Sequence, residues 1–138
     1  MARPAASASA STFDTQLQLL AWLHWLWAGF NAVIGIATAA FAIAAMLAAT
    51  VGPGLPDPGI AAAVTSGAFF LVSITALIWS AAHAWCARAL QRRDPLGRLA
   101  ALGLALFDAA LVPLGTLLAG YTAWLLLQDA GRRRFGVV

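Results

Sequence analysis

From Leu17 to Ala49 the chain runs without a single charged side chain. As a helix, that stretch would be about 50 Å long. A bilayer core about 30 Å thick asks for about 20 apolar residues in succession, so the run is more than sufficient for one crossing. A second run covers about residues 60–90, with its most apolar part at 68–85. A soluble chain of 138 residues cannot hide two such segments, and composition agrees: 62% of residues are hydrophobic, 9% are charged, and Lys and Glu are absent. The solvent expected for this chain is therefore a membrane. Both runs are rich in Ala and Leu and lack the period-two alternation of a barrel strand, which predicts helices.

The connections predict the topology. Residues 50–59, Thr-Val-Gly-Pro-Gly-Leu-Pro-Asp-Pro-Gly, hold three prolines and three glycines and read as a loop. Asp94-Pro95 reads as an N-cap followed by the first helical residue. Further on, Val112-Pro113-Leu114-Gly115-Thr116 interrupts the last apolar stretch and reads as a turn. Four spans result, at about 17–49, 60–90, 95–112 and 114–130. Arg88, Arg92, Arg93 and Arg98 then share a side with Arg132, Arg133 and Arg134, while the other two connections carry no Arg. The positive-inside rule makes the Arg side cytoplasmic, so both termini are expected there. The fold expected is an all-α, four-helix transmembrane bundle forming one domain over 14–131. A disordered tail over 1–13 and a basic tail over 132–138 flank it, and Asp14 is placed to cap the first helix. In this setting the basic pI of about 10.5 reflects orientation and headgroup contact. Nucleic acid is not expected as a partner.

Small residues recur every seventh position in the first span (Ala21, Ala28, Gly35, Ala42, Ala49), and so do the polar His24, Asn31 and Thr38. Ser66, Ser73 and Ser80 share that period in the second. Such spacing keeps residues on one helix side and lets membrane helices approach closely. Antiparallel packing would bring His24 to Ser80 and His83, Asn31 to Ser73, and Thr38 to Ser66. This set reads either as packing contacts or as a polar pathway through Asn31 and Ser73.

Candidate chemistry is sparse. His24 and His83, the only histidines, are expected at similar depth and read as hydrogen-bonding residues, or alternatively as a haem or quinone site. Asp108 is the only acid inside an apolar core, and it reads as a cap near the outer surface, bonded to Thr116, or as a proton or cation site. The histidines and Asp108 are expected at opposite faces. Trp22, Trp25, Trp27, Trp79, Trp85 and Trp124 all fall on the cytoplasmic half, as headgroup anchors or as a lipid, quinone or partner interface. The lone Cys86 excludes an internal disulfide. No catalytic or metal-binding spacing is visible, so neither enzyme activity nor a cofactor is expected.

Pro113-Leu114-Gly115-Thr116, followed by Gly120-Tyr121 and Trp124-Leu125-Leu126, resembles a pattern that opens the last helix in an uncharacterised family of small bacterial four-helix membrane proteins. Leu17–Trp25, with His24 before an aromatic residue, is similar to the start of that family's first helix, and Gln128–Phe135 resembles its charged ending. One departure is Ala119 before Gly120. The resemblance implies a multi-pass inner-membrane protein and brings no reaction. The function expected is a structural, lipid-interacting or complex-accessory role, with lipids, copies of itself or a larger complex as partners. A homo-oligomeric transport or channel subunit and an electron-transfer subunit using His24 and His83 are the alternatives.

Overall fold

The computed structural model describes residues 4–51 and 58–136, with side chains over 11–48 and 59–136. Its elements are helices α1 (Pro4–Val51), α2 (Pro58–Gln91), α3 (Pro95–Asp108), α4 (Leu114–Leu127) and α5 (Asp129–Arg134), and no strand occurs among the described residues. Two helices, Ser11–Ala48 and Gly59–Gln91, are long and apolar enough to cross a membrane. Most of the 50–59 loop expected from its prolines lies outside the described residues. Residues 4–13, expected to be disordered, begin α1 instead. Alanine is the strongest helix former, and Pro4 occupies the first turn, where a missing N–H costs nothing.

The chain divides into two compact units. One, Trp27–Ala82, is an antiparallel pair made of the second part of α1 and the first part of α2. Its stretch from 27 to 48 alone is about 33 Å long, enough for a bilayer core. The serines of α2 hold this pair together. Ser80 donates to the Ala28 carbonyl at 2.8 Å, Ser73 to Gly35 at 2.7 Å and Ser66 to Ala42 at 3.0 Å. The three acceptors belong to the seven-residue series of small residues. A Cβ on Gly35 would come within 2.7 Å of the Leu77 side chain and 3.2 Å of the Ser73 carbonyl oxygen, so glycine is what brings the backbones within hydrogen-bond reach.

The expected pairings of Asn31 with Ser73 and Thr38 with Ser66 do not form. Asn31 donates to the Trp27 carbonyl of its own helix, and Thr38 to Ile34 and Gly35. The cause is the close approach itself, since a serine facing a small residue reaches a carbonyl before it reaches a longer polar side chain.

The other unit joins residues 1–26 with His83–Val138. Within it α2 ends in a Schellman motif: Arg93 has φ 58°, its N–H bonds Leu90 O, and the Asp94 N–H bonds Ala89 O. The Asp94 side chain immediately accepts from Leu96 N–H at 2.9 Å, with Pro95 at the first helical position, as Asp94-Pro95 predicts. The α2–α3 approach depends on Gly97, where a Cβ would fall 2.6 Å from Ala89 Cβ. Residues 109–113 reverse the chain between α3 and α4. Gly115 sits so close to the Asp108 carbonyl and Leu111 that a side chain there would collide.

Arg98, buried on α3, donates from Nε to the Leu126 carbonyl at 3.1 Å. A cation therefore caps the negative end of α4 from the first turn of α3. The helix breaks at Gln128, and α5 folds back against the end of α4, where Gly131 leaves room for the carbonyls of Leu125 and Leu126. Phe135 is buried and Arg134 pairs with Asp14 at 2.5 Å. The segment from 132, expected as a basic tail, is therefore ordered structure through residue 136. Asp14, expected to cap α1, lies ten residues inside it and instead joins Arg134 and Arg93, the latter at 3.3 Å.

Candidate functional site

The described polar core of the second unit centres on three fully buried ionisable side chains: His24 of α1, His83 of α2 and Asp108 at the end of α3. His24 Nδ1 lies 2.9 Å from His83 Nδ1, and the two rings stack with centroids 5.1 Å apart and planes 28° from parallel. His83 Nε2 lies 3.4 Å from Asp108 Oδ1. The residues thus run in order Asp108–His83–His24.

This arrangement corrects the expectation that Asp108 and the histidines lie at opposite faces. His83 stands about 12 Å along its helix from the end of α2, and Asp108 about 20 Å along α3 from its start. Helical side chains lean toward their own N-terminus. Because α2 approaches the 92–94 turn and α3 leaves it, His83 leans away from the turn and Asp108 leans back toward it. The two side chains therefore converge. Thr116, expected to bond Asp108, donates to the Ala109 carbonyl at 2.9 Å.

Hydrogen-bond chemistry constrains the protons. A contact between two Nδ1 atoms requires one to carry hydrogen and the other to present a lone pair, so at least one ring is neutral. The His83 Nε2–Asp108 Oδ1 approach is an ion-pair contact, and a proton on Nε2 faces the carboxylate when Asp108 is ionised. Neutral His83 then accepts at Nδ1, and His24 must donate from its own Nδ1. The remaining atom, His24 Nε2, is buried without a hydrogen-bond partner and in this state carries a lone pair. Around the chain, Cys86 is buried on α2 and directs its Sγ to Gly97 O at 3.9 Å. Thr122 is buried on α4 with an unpartnered Oγ1.

A haem held between His24 and His83 does not fit. Two axial imidazoles stand on opposite faces of the macrocycle, whereas these rings touch. Among the described residues no group of three or more His, Cys, Asp or Glu side chains is disposed to hold a metal ion. The other candidates lie outside the Asp108–His83–His24 chain. Ser73 and Asn31 each donate to a backbone carbonyl of the first unit, Gly35 and Trp27 respectively. Trp27 stacks on Phe30 and Trp79 lies half-buried in that same unit. In the second unit Trp25 lies under the Arg88 guanidinium, 5.5 Å from ring centroid to Cζ, and Trp124 stacks on Tyr121. Trp22 and Trp85 are exposed. Arg98 and Phe135 were missed as structural anchors. The signal for Arg98 was its place one turn into α3, within reach of the end of an antiparallel neighbour.

No family model, curated protein or solved structure matches the chain.

Proposed function

We propose that the chain is a multi-pass protein of the bacterial inner membrane, with both termini cytoplasmic. In this reading it catalyses no reaction and acts through packing against lipids, copies of itself or a larger membrane complex. One observation carries the reading. Along α1, Val33, Ile36, Phe41 and Ile43 are exposed, and along α2, Val64, Phe70, Leu71 and Ile78 are exposed, while the serines turn inward onto carbonyls. A helix that is apolar on its outward sides over this length has an apolar solvent. The Arg distribution supports the sidedness, and the likeness of Leu17–Trp25 and Pro113–Thr116 to small bacterial membrane proteins supports the compartment.

The α3–α4 hairpin admits a second reading, favoured by its length. Each arm has 14 residues, about 21 Å of helix against a core of about 30 Å. A re-entrant hairpin, entering and leaving on the cytoplasmic side, suits that length better than two full crossings. Single cysteines in a Cys86→Ala background, labelled in intact spheroplasts with an impermeant thiol reagent, test both points. Gly59→Cys is expected to label from outside and Arg133→Cys only after permeabilisation; outside labelling at position 133 defeats the proposed sidedness. Val112→Cys labels from outside if α3 and α4 cross, and stays protected if they are re-entrant. A transport or channel subunit working as a homo-oligomer is the remaining reading, favoured by the buried ionisable chain.

A further inference from the structure

We infer that Asp108, His83 and His24 form a buried proton-binding relay whose terminal atom is His24 Nε2. The site lies within one compact unit and does not depend on which membrane topology holds.

Three observations carry the inference. The three side chains are fully buried, so a proton passing among them is handed from one side chain to the next away from bulk water. The Nδ1–Nδ1 contact at 2.9 Å is a hydrogen bond that can point either way without moving a heavy atom. His24 Nε2 is buried and has no partner, so the chain ends in a nitrogen able to accept a proton.

The step balances as follows. A hydronium ion, or water acting as the acid, gives a proton to His24 Nε2. His24 releases its Nδ1 proton to His83 Nδ1, and His83 releases its Nε2 proton to Asp108 Oδ1. Three bonds to hydrogen form and three break, counting the donor's. Both imidazoles begin and end neutral with their tautomers reversed, and the net change is one carboxylate becoming one carboxylic acid. The end state keeps the Nδ1–Nδ1 hydrogen bond with its direction inverted.

Other titratable and charged groups lie on the helices packed around the chain. The charges that act on His24 are those of His83 and Asp108. From α2 the thiol Cys86 also feels Asp108. From α3 the buried cation Arg98 is bonded to the Leu126 carbonyl. From α4 come Tyr121, whose hydroxyl reaches Gln16 O at 3.5 Å, and the non-ionising Thr122. Asp14 of α1 is held by Arg93 and Arg134.

With only two histidines in the chain, the imidazole nitrogens can be read directly. The experiment is a pH series of long-range ¹H–¹⁵N spectra on the full-length, histidine-labelled protein in lipid nanodiscs, with infrared difference spectra recorded in parallel. At the alkaline end His83 is expected as the Nε2–H tautomer and His24 as the less common Nδ1–H tautomer. At the acid end both are expected reversed in one shared transition. That transition should coincide with the appearance of a protonated carboxylic-acid band, which Asp108→Asn removes. Independent titration of the two rings overturns the relay. So does the Nε2–H tautomer on both rings at every pH, or the lack of a shared transition before unfolding. If Asp108→Asn does not fold, the nitrogen spectra of the unaltered protein decide alone.

Discussion

At the scale of single residues, the glycines separate into those the packing requires and those it tolerates. A Cβ at Gly97 would meet Ala89 Cβ at 2.6 Å and Ala89 carbonyl carbon at 2.9 Å, whereas one at Gly103 meets nothing within 4 Å. Gly97→Ala is expected to destabilise the protein by about 1–3 kcal/mol through overpacking. Gly103→Ala on the same helix is expected to leave stability unchanged or raise it by up to about 1 kcal/mol. Thermal unfolding of both variants in one detergent checks the pair. Arg98 gives a second residue-scale expectation. Removing its bond to the Leu126 carbonyl by Arg98→Ala should cost about 1.5–3 kcal/mol, the range for hydrogen bonds made by charged groups. Arg98→Lys should recover only part of that, because a flexible ammonium does not reproduce a fixed guanidinium N–H. Neither role stands out in the sequence. Gly97 and Gly103 occupy the same apolar helix six residues apart, and only the neighbouring chain distinguishes them.

At the scale of elements, the hairpin of the first unit rests on two contributions of different size. The serine bonds to Ala28, Gly35 and Ala42 are made in a setting where hydrogen bonds average about 0.6 kcal/mol. Replacing any one of Ser66, Ser73 or Ser80 with Ala should therefore shift the unfolding midpoint only slightly. Gly35→Leu should be more damaging than any of these, because Leu77 and the Ser73 backbone occupy the space a side chain would need. Equal losses for Gly35→Leu and Ser73→Ala would show that hydrogen bonding rather than backbone approach holds the pair. The seven-residue spacing made this interface legible from sequence, because small and hydroxylated residues at one spacing mark where two helices touch. The actual partners were not legible. Spacing identifies a face, and the interhelical distance decides whether a side chain or a carbonyl is met first.

At the scale of the whole molecule, the ion pairs of Asp14 tie the start of α1 to the α2–α3 turn and to α5. Arg93 is half-exposed and Arg134 and Asp14 are about one-third exposed, so the pairs are partly solvated and Asp14→Asn should cost little stability. Its expected effect is earlier proteolysis of the chain after Gln128, with the difference vanishing at high salt as screening removes the pairs. Limited proteolysis followed by mass spectrometry reads this directly. Much of the architecture was dictated locally. Apolar run length and the Asp94-Pro95 cap predict helices, and the start of α3, because each acts within a few residues of itself. The shared depth of His24 and His83 followed from the same periodicity. Tertiary structure alone decided that Asp108 joins them. That outcome depends on α3 lying beside α2 and on the opposed lean of two side chains, neither of which any local pattern encodes. For the same reason Asp14 reads as a cap in the sequence and is an ion-pair hub in the fold, where its partners come from 79 and 120 residues further along the chain.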